Sequence, residues 1–326
     1  MTVAAINAPA PSANPTRDLR EGDRGSCAVR ESRPMRPSRS IALRSANEIV
    51  AIRAAGALAA AALDAARAAC VPGAMTSDID AAAERAIRQG GGEPLFLGYQ
   101  GSATRPDGSA RPPYPASTCV SINEELVHGV PGMRMVRSGD LVAIDVGVRL
   151  DGWCADTAAT VAVERVSTDK LAMLECAEQM LAHAIAGIVP GRRWSRIAAE
   201  LESIAERAGY AIAADFVGHG IGRALHEAPQ VPCTLTQSFL DHHDFTLRPG
   251  MVLAIEPMLV LEAPRRIGAD AHLVNPACRL ASDGWTVTVD SGASSCHVEH
   301  TVVVTRDGAE VLTLSPHAAN LRRRAG

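Results

Sequence analysis

The chain has 326 residues, 47% hydrophobic and 21% charged, which gives enough length for a sizeable core and a composition unlike that of a disordered protein. A net charge of −4 and only 3% aromatic residues exclude a chain that recruits nucleic acid through a global positive field or stacks bases on an aromatic platform. Eight cysteines are scattered with no C-x-x-C pair, a pattern that fits reduced cytoplasmic thiols rather than a disulfide framework or a structural zinc site.

Residues 1–40 differ from the rest. They contain Ala8-Pro9-Ala10-Pro11, the run Arg33-Pro34-Met35-Arg36-Pro37 and no apolar periodicity. Seven Arg against four acids give this segment +3 of a total of −4, so the remainder carries −7. Such a segment buries too little apolar surface to offset chain entropy and is expected to be a disordered basic tail, dispensable for chemistry. No basic region followed by an apolar stretch marks a secretory signal near Met1.

From Ser45 the pattern becomes helical. Ser45 and Glu48 have the spacing of a capping box, Ile49, Ile52 and Leu58 begin an apolar stripe, and Val71-Pro72-Gly73 stops it. Asp64 and Arg67 interrupt the Ala54–Val71 stretch, so it reads as a helix of the core and not as a membrane span. A second helix runs from Thr76-Ser77-Asp78 to the Gly90-Gly91-Gly92 stop. Strands are expected at Ser117–Ile122, Leu141–Arg149 and Cys154–Val163, the last two joined by Asp151-Gly152, a strong hairpin signal. The order then recurs: a helix from Asp169 that ends in Val189-Pro190-Gly191, a helix over Ser195–Ala208 stopped by Gly209, and strands Met251–Met258 and Cys296–Thr305.

The recurrence extends to single residues. Arg137-Ser138-Gly139 leads into a strand ending Ala143-Ile144-Asp145, and Arg248-Pro249-Gly250 leads into one ending Ala254-Ile255-Glu256. The two Val-Pro-Gly stops are 118 residues apart and the two carboxylates 111. A helix–helix–strand–strand unit used twice predicts an α+β domain with a pseudo-twofold axis and its functional groups near that axis.

Around a two-residue turn at 151–152, opposed positions sum to 303. Asp145 and Asp156 sum to 301, so they are diagonal neighbours on one face of the hairpin. Two carboxylates among apolar neighbours repel unless a cation or proton lies between them. Glu256 repeats Asp145, and Glu299 takes the place of Asp156. Four inward carboxylates make an oxygen-rich cage suited to one or two divalent ions. His219, within Gly218-His219-Gly220-Ile221-Gly222, would supply the nitrogen ligand that a transition metal prefers, and the glycines would let the backbone approach a ligand. His183, His242, His243, His272, His297 and His317 read as ordinary surface or core histidines.

These motifs, together with Ser121-Ile122-Asn123-Glu124-Glu125-Leu126-Val127-His128-Gly129-Val130-Pro131 and Glu299-His300-Thr301-Val302-Val303-Val304-Thr305, resemble those of the methionine aminopeptidases, in that family's order over about residues 41–310. Only 29 residues separate His226 from Glu256, which leaves no room for the type II helical insertion, so the similarity is to type I. The resemblance implies the pita-bread α+β fold for residues 41–314, followed by a short basic tail at 315–326. It implies a cytoplasmic, monomeric enzyme that removes the N-terminal methionine of nascent polypeptides, near the ribosome, when the second residue is small. It makes Asp145, Asp156, His219, Glu256 and Glu299 ligands of two divalent ions (Co, Mn, Fe or Zn). A metal-activated hydroxide would attack the first peptide bond, with Glu256 shuttling its proton. His226 would stabilise the oxyanion, His128 would contact the scissile amide, and Phe96, Tyr114, Cys119 and Trp285 would line the methionine pocket. No membrane or specific nucleic acid is implied.

Two stretches depart from the pattern. Gln100–Pro113 is an insertion with Pro112 near the place of a family His, read as a surface loop at the mouth of the site. A second excess of about a dozen residues lies between Glu262 and Ser282. Two other functions stay open on the residues alone: an Xaa-Pro peptidase of the same fold, and a binding module that has lost catalysis. The retained ligands and the His128 segment argue against both.

Overall fold

At Ser45 the chain enters α1 (Ala46–Ala69). The Ser45 side chain accepts from the Glu48 backbone N–H, and the Glu48 carboxylate accepts the Ser45 N–H, completing the capping box. The computed structural model describes residues 40–101, 109–267 and 272–315. The basic tail read at 1–40, Ser40 excepted, and the tail read at 315–326, Ser315 excepted, lie outside the described residues.

After α1 come α2 (Thr76–Gln89), β1 (Glu93–Pro94), β2 (Cys119–Ile122), β3 (Glu125–Val127) and the hairpin of β4 (Leu141–Leu150) and β5 (Trp153–Ala162). Then follow α3 (Thr168–Ala186), α4 (Trp194–Ala208), β6 (Ala211–Ile212), β7 (Gly218–Gly220), β8 (Glu227–Val231) and the short α5 (Gln237–His242). After α5 the described elements are strands: β9 (Val252–Ile255), β10 (Met258–Val260), β11 (Arg265–Ile267), β12 (His272–Val274), β13 (Cys278–Leu280), β14 (Val287–Val289), β15 (Ser295–His297), β16 (Glu299–Val304) and β17 (Ala309–Val311). The β11–β12 hairpin occupies part of the second excess stretch.

Among the described residues the main sheet has nine strands, with β1-β4-β5-β16-β9-β7-β8 in order, β2 on β4 and β17 on β16. Its centre is symmetric. β4 and β5 pair on one side, β9 and β16 on the other, and β5 meets β16 at the middle. Helices α1 and α2 pack Ala55, Ala59, Leu63, Ile79 and Ile87 against Val142, Ile144, Val146 and Val148. Helices α3 and α4 pack Met173, Met180, Ile197 and Leu201 with Leu253, Ile255, Val302 and Val304. That is the pseudo-twofold α+β arrangement expected from the repeat. Helix α1 is long and apolar enough to cross a membrane by composition, but 44% of its most apolar window is buried inside the protein.

Two details differ from the sequence reading. Helix α3 stops at Gly187, whose N–H reaches the His183 carbonyl, before the Val189-Pro190-Gly191 signal. The strands expected as single runs at Met251–Met258 and Cys296–Thr305 each break in two, at Glu256-Pro257 and at Val298. Proline 257 has no N–H to give to a ladder, so the chain leaves the main sheet there and continues as β10 in a three-stranded sheet with β15 and β6. Its partner strand makes the reverse switch at Val298, whose N–H donates to the Pro257 carbonyl at 3.3 Å.

Candidate active site

The β4–β5 ladder is continuous from Leu150↔Trp153 to Leu141↔Ala162. Asp151 (φ 50) and Gly152 (φ 75) are both left-handed, as a two-residue hairpin with the twist of its strands requires. Asp145 faces Ala158 and Gly147 faces Asp156, so the two aspartates are diagonal neighbours on the face away from the helices. Gly147 is needed opposite Asp156: a Cβ there would lie 2.7 Å from Phe96 Cε1 and 3.0 Å from Leu95 Cβ. Gly147→Ala is expected to drive the Phe96 ring out of place and to cost about 1–3 kcal/mol through overpacking. The urea midpoint measures this, and an unchanged midpoint would show that the ring yields freely.

The second pair of carboxylates comes from the strand breaks. Glu256 follows the last residue of β9, and Glu299 opens β16 just after Val298. The β5–β16 ladder is short, pairing Glu299 with Ala158 and His300 with Thr157. Threonine side chains extend the junction. Thr157 Oγ1 donates to the Glu299 carbonyl at 2.9 Å, and Thr301 Oγ1 donates to the Asp156 carbonyl at 2.8 Å while accepting the Asp156 N–H at 3.0 Å. These bonds fix the backbone beneath both acids.

His219 lies in β7, between β8 and β9. Its flanking glycines let the neighbouring strands pack closely. A Cβ at Gly218 would overlap the Ala254 carbonyl, and one at Gly220 the Ala228 carbonyl. His219 Nδ1 stands 3.0 Å from the Gly220 carbonyl. A carbonyl only accepts, so Nδ1 carries the proton and Nε2 keeps a lone pair for a metal. Nε2 is 3.7 Å from Glu256 Oε1.

The electrostatics match a cation site. Burial first, then the neighbouring Asp156 and Glu256, push the Asp145 carboxyl well above the usual range. Burial likewise lifts Asp156 to about 6, although His219 pulls it down, and burial with Asp156 beside it lifts Glu299 well above its ordinary value. For Glu256 burial also acts upward, but His297 and His219 outweigh it and hold the carboxyl low. Asp145 Oδ1 and Glu299 Oε1 are buried without a hydrogen-bond partner. Ligand atoms of Asp156, His219 and Glu299 all lie within 4.8 Å of one another. Crowded buried carboxylates, orphaned oxygens and one imidazole lone pair are the donor set that a divalent ion satisfies.

Above these acids is a cavity of about 320 Å³. Phe96, Tyr114, Cys119, Trp285, His128 and His226 all line it, with Val127, Phe216, Leu225 and Met258. Tyr114 braces the wall with its hydroxyl turned away, toward the Thr118 and Gly129 carbonyls at 3.0 and 2.9 Å. Its ring meets Phe96 and Trp285 edge-on. His128 has φ 57, a left-handed conformation at the end of β3, and its ring meets Phe216 and Trp285 edge-on. His226 contacts the His219 ring edge-on at 4.4 Å, and its Nδ1 stands 2.9 Å from Tyr99 Oη. Burial, then the nearby His219 and His128, hold the His226 imidazole well below its ordinary value, so it is neutral at pH 7.

Two polar lining residues matter to the site beyond the sequence reading, which set Tyr99 only at the border of the substrate entrance and gave His297 no role. Tyr99 borders the Gln100–Pro113 insertion and reaches His226 across 127 positions. His297, read there as ordinary, is 4% exposed and lines the cavity with Nε2 3.4 Å from Glu256 Oε2. Its position two residues before Glu299 was the available signal, but the break at Val298 hid which way it points. By contrast His183 is half-exposed and pairs with Glu200, and His242 and His243 lie at the end of α5, away from the cavity. His317 falls outside the described residues, as does the side chain of His272. In the insertion, the Pro112 carbonyl accepts the Trp285 indole N–H at 2.9 Å, and the Arg111 guanidinium lies over that ring at 5.3 Å. The described ends of the insertion therefore support the cavity wall.

Residues 50–306 match the model of metallopeptidase family M24. Methionine aminopeptidase 1 of Mycobacterium tuberculosis is 40% identical over 287 residues, 86% of this chain and 97% of the relative. Methionine aminopeptidase 1 of Bacillus subtilis is 36% identical over 74% of this chain and 86% of its own length. Among solved structures, a methionine aminopeptidase of Thermotoga maritima superposes with a TM-score of 0.72 at 33% identity, covering 84% of this chain and 99% of that one. A Pyrococcus furiosus prolidase shares the fold at 21% identity, with a TM-score of 0.61 over 84% of this chain and 65% of its own. The pita-bread fold is common to all of them.

Proposed function

From the premise that the chain belongs to metallopeptidase family M24, and within it to the methionine aminopeptidases, we propose that it releases an unblocked N-terminal methionine when the second residue is small, with two divalent ions in its site. Methionine removal by a metal-dependent hydrolase rests on the relatives. The observation that carries the finer reading is the site itself: Asp145, Asp156, Glu256 and Glu299 from two symmetry-related strand pairs, converging with His219 at the floor of an apolar-walled cavity.

In this reading Asp145, Asp156, His219, Glu256 and Glu299 hold the ions. Four carboxylates and one imidazole suit Mn, Fe, Co or Zn. Bound ions supply Lewis-acid polarisation and bring the pKa of water toward neutrality. Glu256, held ionised beside His219 and His297, takes up the proton of the attacking water and returns it to the leaving amine. Neutral His226 carries one proton. A phenol O–H is a better donor than an imidazole N–H, so Tyr99 Oη donates to Nδ1 and leaves Nε2–H for the developing oxyanion. His128, whose ring lies beside Trp285, contacts the scissile amide. Phe96, Cys119 and Trp285 give the methionine side chain an apolar slot. Substrates are then the N-termini of new polypeptides, met in the cytoplasm by a monomeric enzyme.

A peptide panel tests this. Met-Ala-Ser is expected to be cut with kcat/KM at least tenfold above Met-Leu-Ser and above Ala-Pro, a margin typical of discrimination by side-chain size. Faster cleavage of Ala-Pro would transfer the chain to the Xaa-Pro reading, and no cleavage of any peptide to the binding-module reading.

A further inference from the structure

Glu256 sits between two imidazoles, one at each oxygen. His219 Nε2 is 3.7 Å from Oε1, and His297 Nε2 is 3.4 Å from Oε2. His219 belongs to the metal-holding set, whereas His297 has no assigned role. The residue is 4% exposed, and its Nε2 is buried without a hydrogen-bond partner, standing at ion-pair distance from Glu256 Oε2. A buried imidazole nitrogen left without a partner is costly, and the Glu256 carboxylate is within reach to offset that cost.

The backbone under the ring is fixed on both sides. Thr160 Oγ1 donates to the His297 carbonyl at 2.8 Å and accepts the His297 N–H at 3.0 Å. His297 also pairs with Met258 in the β10–β15 ladder. Glu256 sits between β9 and β10, at the point where the chain changes sheets, with its backbone N–H directed to the Cys233 thiol. Its carboxylate needs an external hold if one oxygen is always to face His219.

We propose that His297 is a positioning residue for Glu256. Its Nε2–H donates to Oε2, fixes the rotation of the carboxylate, and keeps Oε1 turned to the His219 side as the oxygen available to a metal. This inference rests on the metal-dependent reading of the same site. Outer partners of metal ligands act in this way, and their loss costs about 10–100-fold in metal affinity or activity.

The test uses the full chain, stripped of metal, with Mn(II) alone as the probe. His297→Leu keeps most of the bulk and removes the donor, whereas His297→Gln keeps an N–H. Calorimetry is expected to show Mn(II) binding weakened by about 10–100-fold in the Leu variant and largely restored in the Gln variant. Restoration of kcat should follow the same order, with KM for Met-Ala-Ser unchanged. Wild-type affinity and kcat in the Leu variant, or no recovery in the Gln variant, would overturn the assignment. Independently of whether the variants fold, long-range proton–nitrogen spectra of the wild-type chain should show His297 protonated on Nε2, before and after loading with Zn(II). A ring protonated on Nδ1 alone, or loss of the Nε2 proton on loading, would overturn it as well. A wild-type chain that binds no Mn(II) overturns the metal reading and this assignment with it, whereas a binding wild type matched by the Leu variant overturns the assignment alone.

Discussion

Glu256→Gln is expected to lower kcat by at least about a thousandfold, because general acid–base catalysis alone contributes ~10²–10⁴-fold and a metal ligand is weakened at the same time. The amide is nearly isosteric with the carboxylate, so cavity shape and KM for Met-Ala-Ser should change little. What it loses is charge. It can no longer take up the proton of the attacking water, and it offers no negative charge to a metal or to the neighbouring His297. Stability should move less than activity, since the substitution also removes one of four crowded buried carboxylates. Steady-state kinetics on metal-replete protein settle the matter: a variant retaining a tenth of wild-type kcat would exclude Glu256 as the proton carrier.

Removing metal should have the second large effect. A chain treated with a strong chelator is expected to lose hydrolysis entirely and to recover it with Mn(II) or Co(II); undiminished hydrolysis by the stripped protein would refute the mechanism. Metal should also raise the melting temperature. At a hundredfold excess over Kd, linkage contributes about 2.7 kcal/mol, which for a domain of this size is roughly 5–10 °C. The pH dependence has a definite sign. The folded Asp156 carboxyl stands at about 6, above its ordinary 3.8. The metal-free protein therefore loses stability as pH rises from 3.8 through about 6, as this acid ionises against its neighbours. A bound cation needs the ionised form, so metal affinity should fall as pH drops below about 6. Titration with Mn(II) at pH 5 and pH 7.5 checks the direction, and tighter binding at pH 5 would contradict it.

Much of this protein follows from its sequence because the relevant physics is local. The capping box at Ser45 and the left-handed Asp151-Gly152 turn are satisfied within a few residues. Strand geometry has a period of two, so the turn position alone places Asp145 and Asp156 on one face, as the ladder does. The Arg-x-Gly lead-ins and the paired Ala-Ile-acid strand ends reveal the duplication, and with it the convergence of four acids near one axis.

What only the tertiary structure decided concerns groups whose relation depends on strands leaving their sheet. Strand parity fails at Glu256-Pro257 and at Val298, where Pro257 forces one strand out of the main ladder and its neighbour crosses back beside it. His297, beyond that break, therefore reads as ordinary in the sequence and stands against Glu256 in the fold. Tyr99 and His226 meet only because the segment before the insertion and the β7–β8 connection reach the same cavity, a distance that no periodicity encodes. The glycines around His219 can be counted in the sequence, but their reason, the carbonyls of Ala254 and Ala228 pressed against them, exists only once three strands are packed. Local propensity thus fixes which face each side chain takes, and packing fixes which faces meet.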